Sequence, residues 1–118
     1  MIRFKQRDIV LISFPFTDLS SSKQRPALVI SSDKYINSHQ DLIIVAITSQ
    51  IPATFSFDEF LIPKDDLLIA GLPKVSIIKL GKIITLHQQL VRKKLGYLSE
   101  DIFSEVLPLF FSLFSVNF

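Results

Sequence analysis

Short runs of β-branched and aliphatic residues, set close together and separated by proline, glycine or polar segments, constrain this chain more than any other feature. Asp8-Ile9-Val10-Leu11-Ile12-Ser13-Phe14 is a near-continuous run of strand formers stopped by Pro15, the pattern of a buried strand. Pro26-Ala27-Leu28-Val29-Ile30-Ser31 and Asp41-Leu42-Ile43-Ile44-Val45-Ala46-Ile47-Thr48 supply a second and a third. Residues 55–62 partly alternate, with Phe55, Phe57 and Glu59 on one side, and read as an exposed or edge strand before Pro63. Residues 75–80 and 82–86 are two further β-rich runs interrupted by Gly81, and a glycine inside such a pattern predicts a bulge or a sharp bend. Strands this short and this closely spaced point to a compact barrel or a strongly curved sheet.

The segments between them carry turn chemistry. Residues 17–24 are polar and serine-rich, and Pro26 biases Arg25 toward an extended backbone, so Arg25 stands where a loop re-enters the sheet. Residues 33–40 and 64–69 predict short helical turns. Ser99 is a good N-cap, and Glu100 and Asp101 suit the first turn of a helix. The apolar residues of that helix, Ile102, Phe103, Val106, Leu107, Phe110, Phe111, Leu113 and Phe114, exceed one stripe, which predicts contact with the sheet on one side and a second subunit on another. Residues 102–118 are mostly apolar, but a membrane span needs roughly 20 apolar residues. The stretch is shorter and holds Glu105, Pro108 and Asn117, so a buried or dimer-facing helix is expected rather than a membrane anchor.

A chain of 118 residues has room for one domain, expected here over residues 1–118. Hydrophobic residues at 48% against charged ones at 20% allow a core to form. The net charge of +2 suits nucleic acid or an acidic peptide without choosing between them. No cysteine is present, which removes disulfide frameworks and thiolate metal sites. The charged N-terminal octet is no signal peptide, and a cytoplasmic location is expected.

Most catalytic chemistries find no footing. No His-x-x-x-His, Asp-x-Asp or histidine-carboxylate cluster stands at ligand spacing, so no metal or other cofactor is expected. Asp65-Asp66 reads as a solvated helix start. There is no Gly-x-Ser-x-Gly elbow, and Gly71, Gly81 and Gly96 form no phosphate-cradling loop. A basic, hydroxyl-rich set at strand ends remains: Lys23 and Arg25 beside the serine loop, and Thr48-Ser49-Gln50 after the third strand. Loops on a rigid sheet favour function. Structural roles are open as well, Arg25 as an ion-pair partner and Thr48-Ser49-Gln50 as satisfiers of backbone groups at a strand terminus.

Taken in order, Asp8-Ile9-Val10-Leu11, Lys23-Gln24-Arg25-Pro26-Ala27-Leu28-Val29-Ile30-Ser31 and Ala46-Ile47-Thr48-Ser49-Gln50 resemble the MazF/PemK family of toxin endoribonucleases. The similarity continues through Ala70-Gly71-Leu72, Ser76-Ile77-Ile78-Lys79, Lys82-Ile83-Ile84-Thr85-Leu86 and Leu95-Gly96-Tyr97-Leu98-Ser99. This resemblance implies a mainly β fold, an SH3-like barrel of curved antiparallel strands with a C-terminal helix. It further implies a homodimer that cleaves single-stranded RNA at short sequences without a metal, paired with a small acidic antitoxin. Carried over by position, Arg25 and Thr48 are the catalytic residues the resemblance implies. Lys23, Ser49, Gln50, Ser76 and Lys82 are the expected RNA contacts.

The chain also departs from that pattern. Arg7 stands before the first-strand Asp8 where many relatives have glycine, and Ser20-Ser21-Ser22 replaces a second glycine. Residues 19–24 contain no carboxylate to serve as a base, so the general base is unassigned. His87 stands where relatives often have aspartate; it is read as structural. Two other classes stay in view: an inactive RNA- or peptide-binding module on the same barrel, and a CcdB-like gyrase inhibitor, against which the absence of tryptophan from the C-terminal tail counts.

Overall fold

The computed structural model describes residues 3–13 and 23–116. Its elements are β1 (Asp8–Ser13), β2 (Gln24–Val29), α1 (Asp33–His39), β3 (Asp41–Thr48), β4 (Glu59–Leu61), α2 (Leu67–Ala70), β5 (Ile77–His87), β6 (Val91–Tyr97) and α3 (Glu100–Ser112). The six strands form one antiparallel sheet in the order β4-β5-β3-β2-β1-β6.

Alternation along the central strands divides the buried side chains between two clusters. Ile9, Leu28, Val45 and Ile47 join Phe103 and Val106 of α3 in one. Their neighbours Val10, Ile12, Ala27, Leu42, Ile44 and Ala46 join Phe4 and Ile36 of α1 in the other. Successive strand residues point to opposite faces, and both faces are covered, which is why these strands read as unbroken apolar runs.

The third strand has the bounds expected of it, whereas the second begins and ends two residues earlier than the run 26–31. Pro26 is tolerated there because β2 pairs with β3 only from Ala27 onward; at Pro26 the pairing is with Leu11 of β1 alone. The edge strand is shorter than the run 55–62. The runs on either side of Gly81 form one strand, β5, with an irregularity at the expected place: Val45 faces Ile83 while Ala46 faces Lys79, leaving Leu80, Gly81 and Lys82 as a bulge in the register. Strand β6 is an addition. Its Val91-Arg92-Lys93-Lys94-Leu95-Gly96-Tyr97 sequence is too charged to announce a strand, and pairing with β1 rather than local preference makes it one. The serine-rich loop lies outside the described residues apart from Lys23 and Gln24.

Ser99 caps α3, its Oγ accepting from the Ile102 amide at 3.3 Å and donating to Asp66 Oδ2 at 3.1 Å. Phe103 and Val106 are buried, whereas Phe111 and Phe114 are 61% and 62% exposed. Among the described residues no helix is long and apolar enough to cross a membrane.

Two backbone positions explain how the ends are fastened. Gly71 has φ of +73°, and a Cβ there would strike the Leu95 carbonyl, so the end of α2 sits directly on β6. Arg7 also has positive φ, +81°, the conformation glycine adopts without strain. The arginine is held by contacts that glycine could not make. Its Nη1 donates to the Leu98 carbonyl at 2.8 Å, Nη2 lies 3.8 Å from Glu100, and the guanidinium stands over Tyr97. Its backbone joins in, donating to the Val29 carbonyl and accepting from the Leu98 amide. Beside it, the buried Asp8 accepts from the Lys5 amide at 2.8 Å and meets Lys94 at 3.2 Å. Arg7 is thus a clasp between the start of β1 and the approach to α3.

Candidate functional site

The β2–β3 pairing stops short of Arg25 and Thr48. Ala27 faces Ala46, Leu28 faces Val45 and Val29 faces Ile44. Continuing that register two residues places Arg25 across from Thr48. Both line a concavity of about 220 Å³, together with Ala46, Ile47, Gln50, Lys79 and Lys82.

Each side chain arrives by a local cause. Pro26 keeps Arg25 extended at the beginning of β2, where its side chain is half-buried. Thr48 is the last residue of β3 and pairs with Ile77 of β5. Its Oγ1 accepts from the Gln50 amide at 3.1 Å, a turn that ends the strand and directs Gln50 back to the concavity. That bond uses an oxygen lone pair, and the Thr48 hydroxyl hydrogen is not consumed by it. Lys79 stands just before the β5 bulge, and Lys82 is the last residue of it. Arg25, Lys79 and Lys82 therefore converge, and no carboxylate or histidine stands among the described lining residues. The arrangement can hold a phosphodiester and stabilise extra negative charge on it.

The expected contacts divide. Arg25, Thr48, Gln50 and Lys82 share the concavity. Lys23 and Ser49 are exposed and adjoin it in sequence without lining it. Ser76 does not line it: it is 3% exposed, and its Oγ donates to the Lys74 carbonyl at 2.9 Å. Its small hydroxyl serves the turn before β5. Lys79 was missed. A lone lysine between buried Ile78 and Leu80 was the available signal, but it reads as a solvated position until the pairing is known.

His87 Nδ1 accepts from the Gln89 amide at 3.0 Å and so caps the turn between β5 and β6. Among the described residues no group of three His, Asp or Glu side chains converges as a metal site. A larger hollow of about 610 Å³ is lined, among the described residues, by Ile12, Ile84, Leu86 and Leu90 together with Ser13, Thr85, Gln89 and Arg92. With one arginine among these described residues against three cations in the smaller concavity, it is the poorer fit for a phosphate.

Comparison with known proteins adds a family to this geometry. The model of the PemK-like, MazF-like toxins of type II toxin-antitoxin systems matches residues 5–110. None of the curated proteins matches the sequence. Solved structures match in fold. A mycobacterial endoribonuclease is similar with a TM-score of 0.76 at 12% identity, over 100% of this chain and 97% of that one. A mycobacterial endoribonuclease in complex with its cognate antitoxin gives 0.75 at 13% identity, over 98% and 99% of the two chains. A MazE-MazF structure from Deinococcus radiodurans gives 0.74 at 20% identity, over 99% and 100%.

Proposed function

This chain belongs to the PemK-like, MazF-like toxins of type II toxin-antitoxin systems, and on that premise we propose that it cleaves single-stranded RNA at short sequences, without a metal ion, as the growth-inhibiting toxin of its pair. The observation that carries the reading is the meeting of Arg25 and Thr48 in one cationic concavity with Lys79 and Lys82.

RNA contains its own nucleophile. Attack of the 2′-oxygen on the adjacent phosphorus forms an O2′–P bond and breaks the P–O5′ bond. It leaves a 2′,3′-cyclic phosphate and a 5′-hydroxyl, the 2′-proton having gone to a base and one returning to the 5′-oxygen. What the protein supplies is orientation and charge stabilisation. The Arg25 guanidinium, always protonated and planar, presents paired donors to the phosphoryl oxygens as negative charge grows there. Thr48, its lone pair engaged by the Gln50 amide, donates its hydroxyl to the same phosphate. Gln50 and Lys82 hold the flanking nucleotides, with Lys23 and Ser49 at the approach. Dependence on the 2′-hydroxyl selects RNA over DNA.

A homodimer fits the exposed Phe111, Phe114 and Val116 at the end of α3, which a second copy would cover. The antitoxin is proposed to be a small protein whose acidic segment competes for the cations of the concavity, by analogy with the complexes formed by the mycobacterial and Deinococcus proteins.

One observation favours a second reading. No described group lining the concavity is a general base, which suits a module that binds RNA without cutting it. Incubating the purified protein with a diverse RNA pool in chelator and mapping the ends decides between them. Cuts ending in cyclic phosphate, lost in Arg25→Ala, support the ribonuclease; RNA retained intact supports the binding module. Activity that needs an added divalent ion would overturn the metal-free mechanism.

A further inference from the structure

The turn before β4 is built unusually firmly for an exposed segment. Ser56 donates its amide to Glu59 Oε1 at 2.7 Å and its hydroxyl to Asp58 Oδ1 at 2.6 Å. The Glu59 amide returns to the Ser56 carbonyl, and the Leu80 amide donates to the Asp58 carbonyl at 2.9 Å. Gly81 makes room, since a Cβ there would lie 2.8 Å from Asp58 Oδ2. The turn is thereby pinned against the β5 bulge. Glu59, its side chain only 11% exposed, places Oε2 at 3.8 Å from Lys79 Nζ, and Lys79 lines the concavity.

We propose that Lys79 is a further phosphate-binding residue for single-stranded RNA, and that Glu59, held by Ser56, is the positioning residue that keeps its ammonium at the concavity. The inference rests on the ribonuclease reading. Three things favour it. Lys79 is a cation set among buried apolar neighbours on β5, Ile77, Ile78 and Leu80. At 3.8 Å the ion pair is loose, and an ammonium carries three donors, so Lys79 can keep Glu59 and still reach an anion. The bulge, which ends at Lys82, gives the concavity two cations from one strand, past which a phosphodiester backbone can run. Phosphate contacts of this kind fix register without reading bases.

The experiment uses a transcript with a mapped cut site and follows kcat, KM and their salt dependence for the wild-type dimer, Lys79→Ala, Lys79→Arg and Glu59→Gln. Lys79→Ala is expected to raise KM about fivefold on all transcripts alike, with the effect falling on KM rather than kcat. The slope of log(kcat/KM) against log salt should become shallower by about 0.7, the change expected when one phosphate of a single strand is no longer neutralised. Lys79→Arg should restore both, and Glu59→Gln should raise KM less than Lys79→Ala while leaving the slope near wild type. An unchanged KM and salt slope in a folded Lys79→Ala protein would overturn the inference and reduce Lys79 to a partner of Glu59. So would a change seen only in the affinity for an acidic peptide. Should Lys79→Ala fail to fold, Lys79→Gln carries the same expectations. A wild-type protein that cuts no RNA would instead bring down the ribonuclease reading, and this inference with it.

Discussion

Arg25 at the start of β2 and Thr48 at the end of β3 flank one concavity, two residues beyond the last backbone pairing between their strands, Ala27 with Ala46. The site lies where the ladder stops. Register brings the two side chains to the same concavity.

Substitutions that preserve shape should separate the two roles. Thr48→Val keeps the β-branched form but removes the hydroxyl, and cleavage should fall by about a hundredfold or more. Thr48→Ser should stay within about tenfold of wild type by retaining that donor. Arg25→Lys keeps the charge and loses the planar fork, so it should remain strongly impaired. Single-turnover cleavage of one transcript measures all three.

Gly71→Ala should be among the most damaging single changes. The new methyl would strike the Leu95 carbonyl, and the backbone at φ +73° disfavours any side chain. A loss of about 3 kcal/mol is expected, seen as a melting temperature lower by about 10 °C.

At Arg7 two effects oppose each other. Arg7→Ala leaves the positive φ in place and removes the hydrogen bond to Leu98 and the interactions with Glu100 and Tyr97. Arg7→Gly removes the same interactions but relieves the backbone strain, worth about 1 kcal/mol. The glycine variant should therefore be the more stable of the two by about that amount, read from urea midpoints at unchanged slope.

Ser99→Ala should cost about 1 kcal/mol, since it removes the cap of α3 together with the bond to Asp66. Cleavage per folded molecule should not change, because Ser99 is not among the residues lining the concavity. Denaturation and activity measured on the same samples test this.

Local pattern carried a good part of the fold. The apolar runs located β1, β2 and β3, Gly81 marked the bulge, and Ser99-Glu100-Asp101 announced α3. These signals are short-range: strand preference, a missing Cβ, a hydroxyl beside free amides. Strand β6 was not legible, because three of its seven residues are Arg92, Lys93 and Lys94 and only its partner makes it a strand. The burial of Ser76 was not legible either, because neighbouring residues do not reveal which side of a turn a hydroxyl faces.

What the sequence determined by itself was the set of strands, the capped helix and the chemical types available, since each depends on residues a few positions apart. Tertiary structure alone decided which of those types meet. Lys79 reaches Thr48's neighbourhood through the pairing of β3 with β5, and Arg25 through the pairing of β2 with β3. Such pairings join residues remote along the chain, and their register is chosen by the whole buried pattern rather than by any one segment.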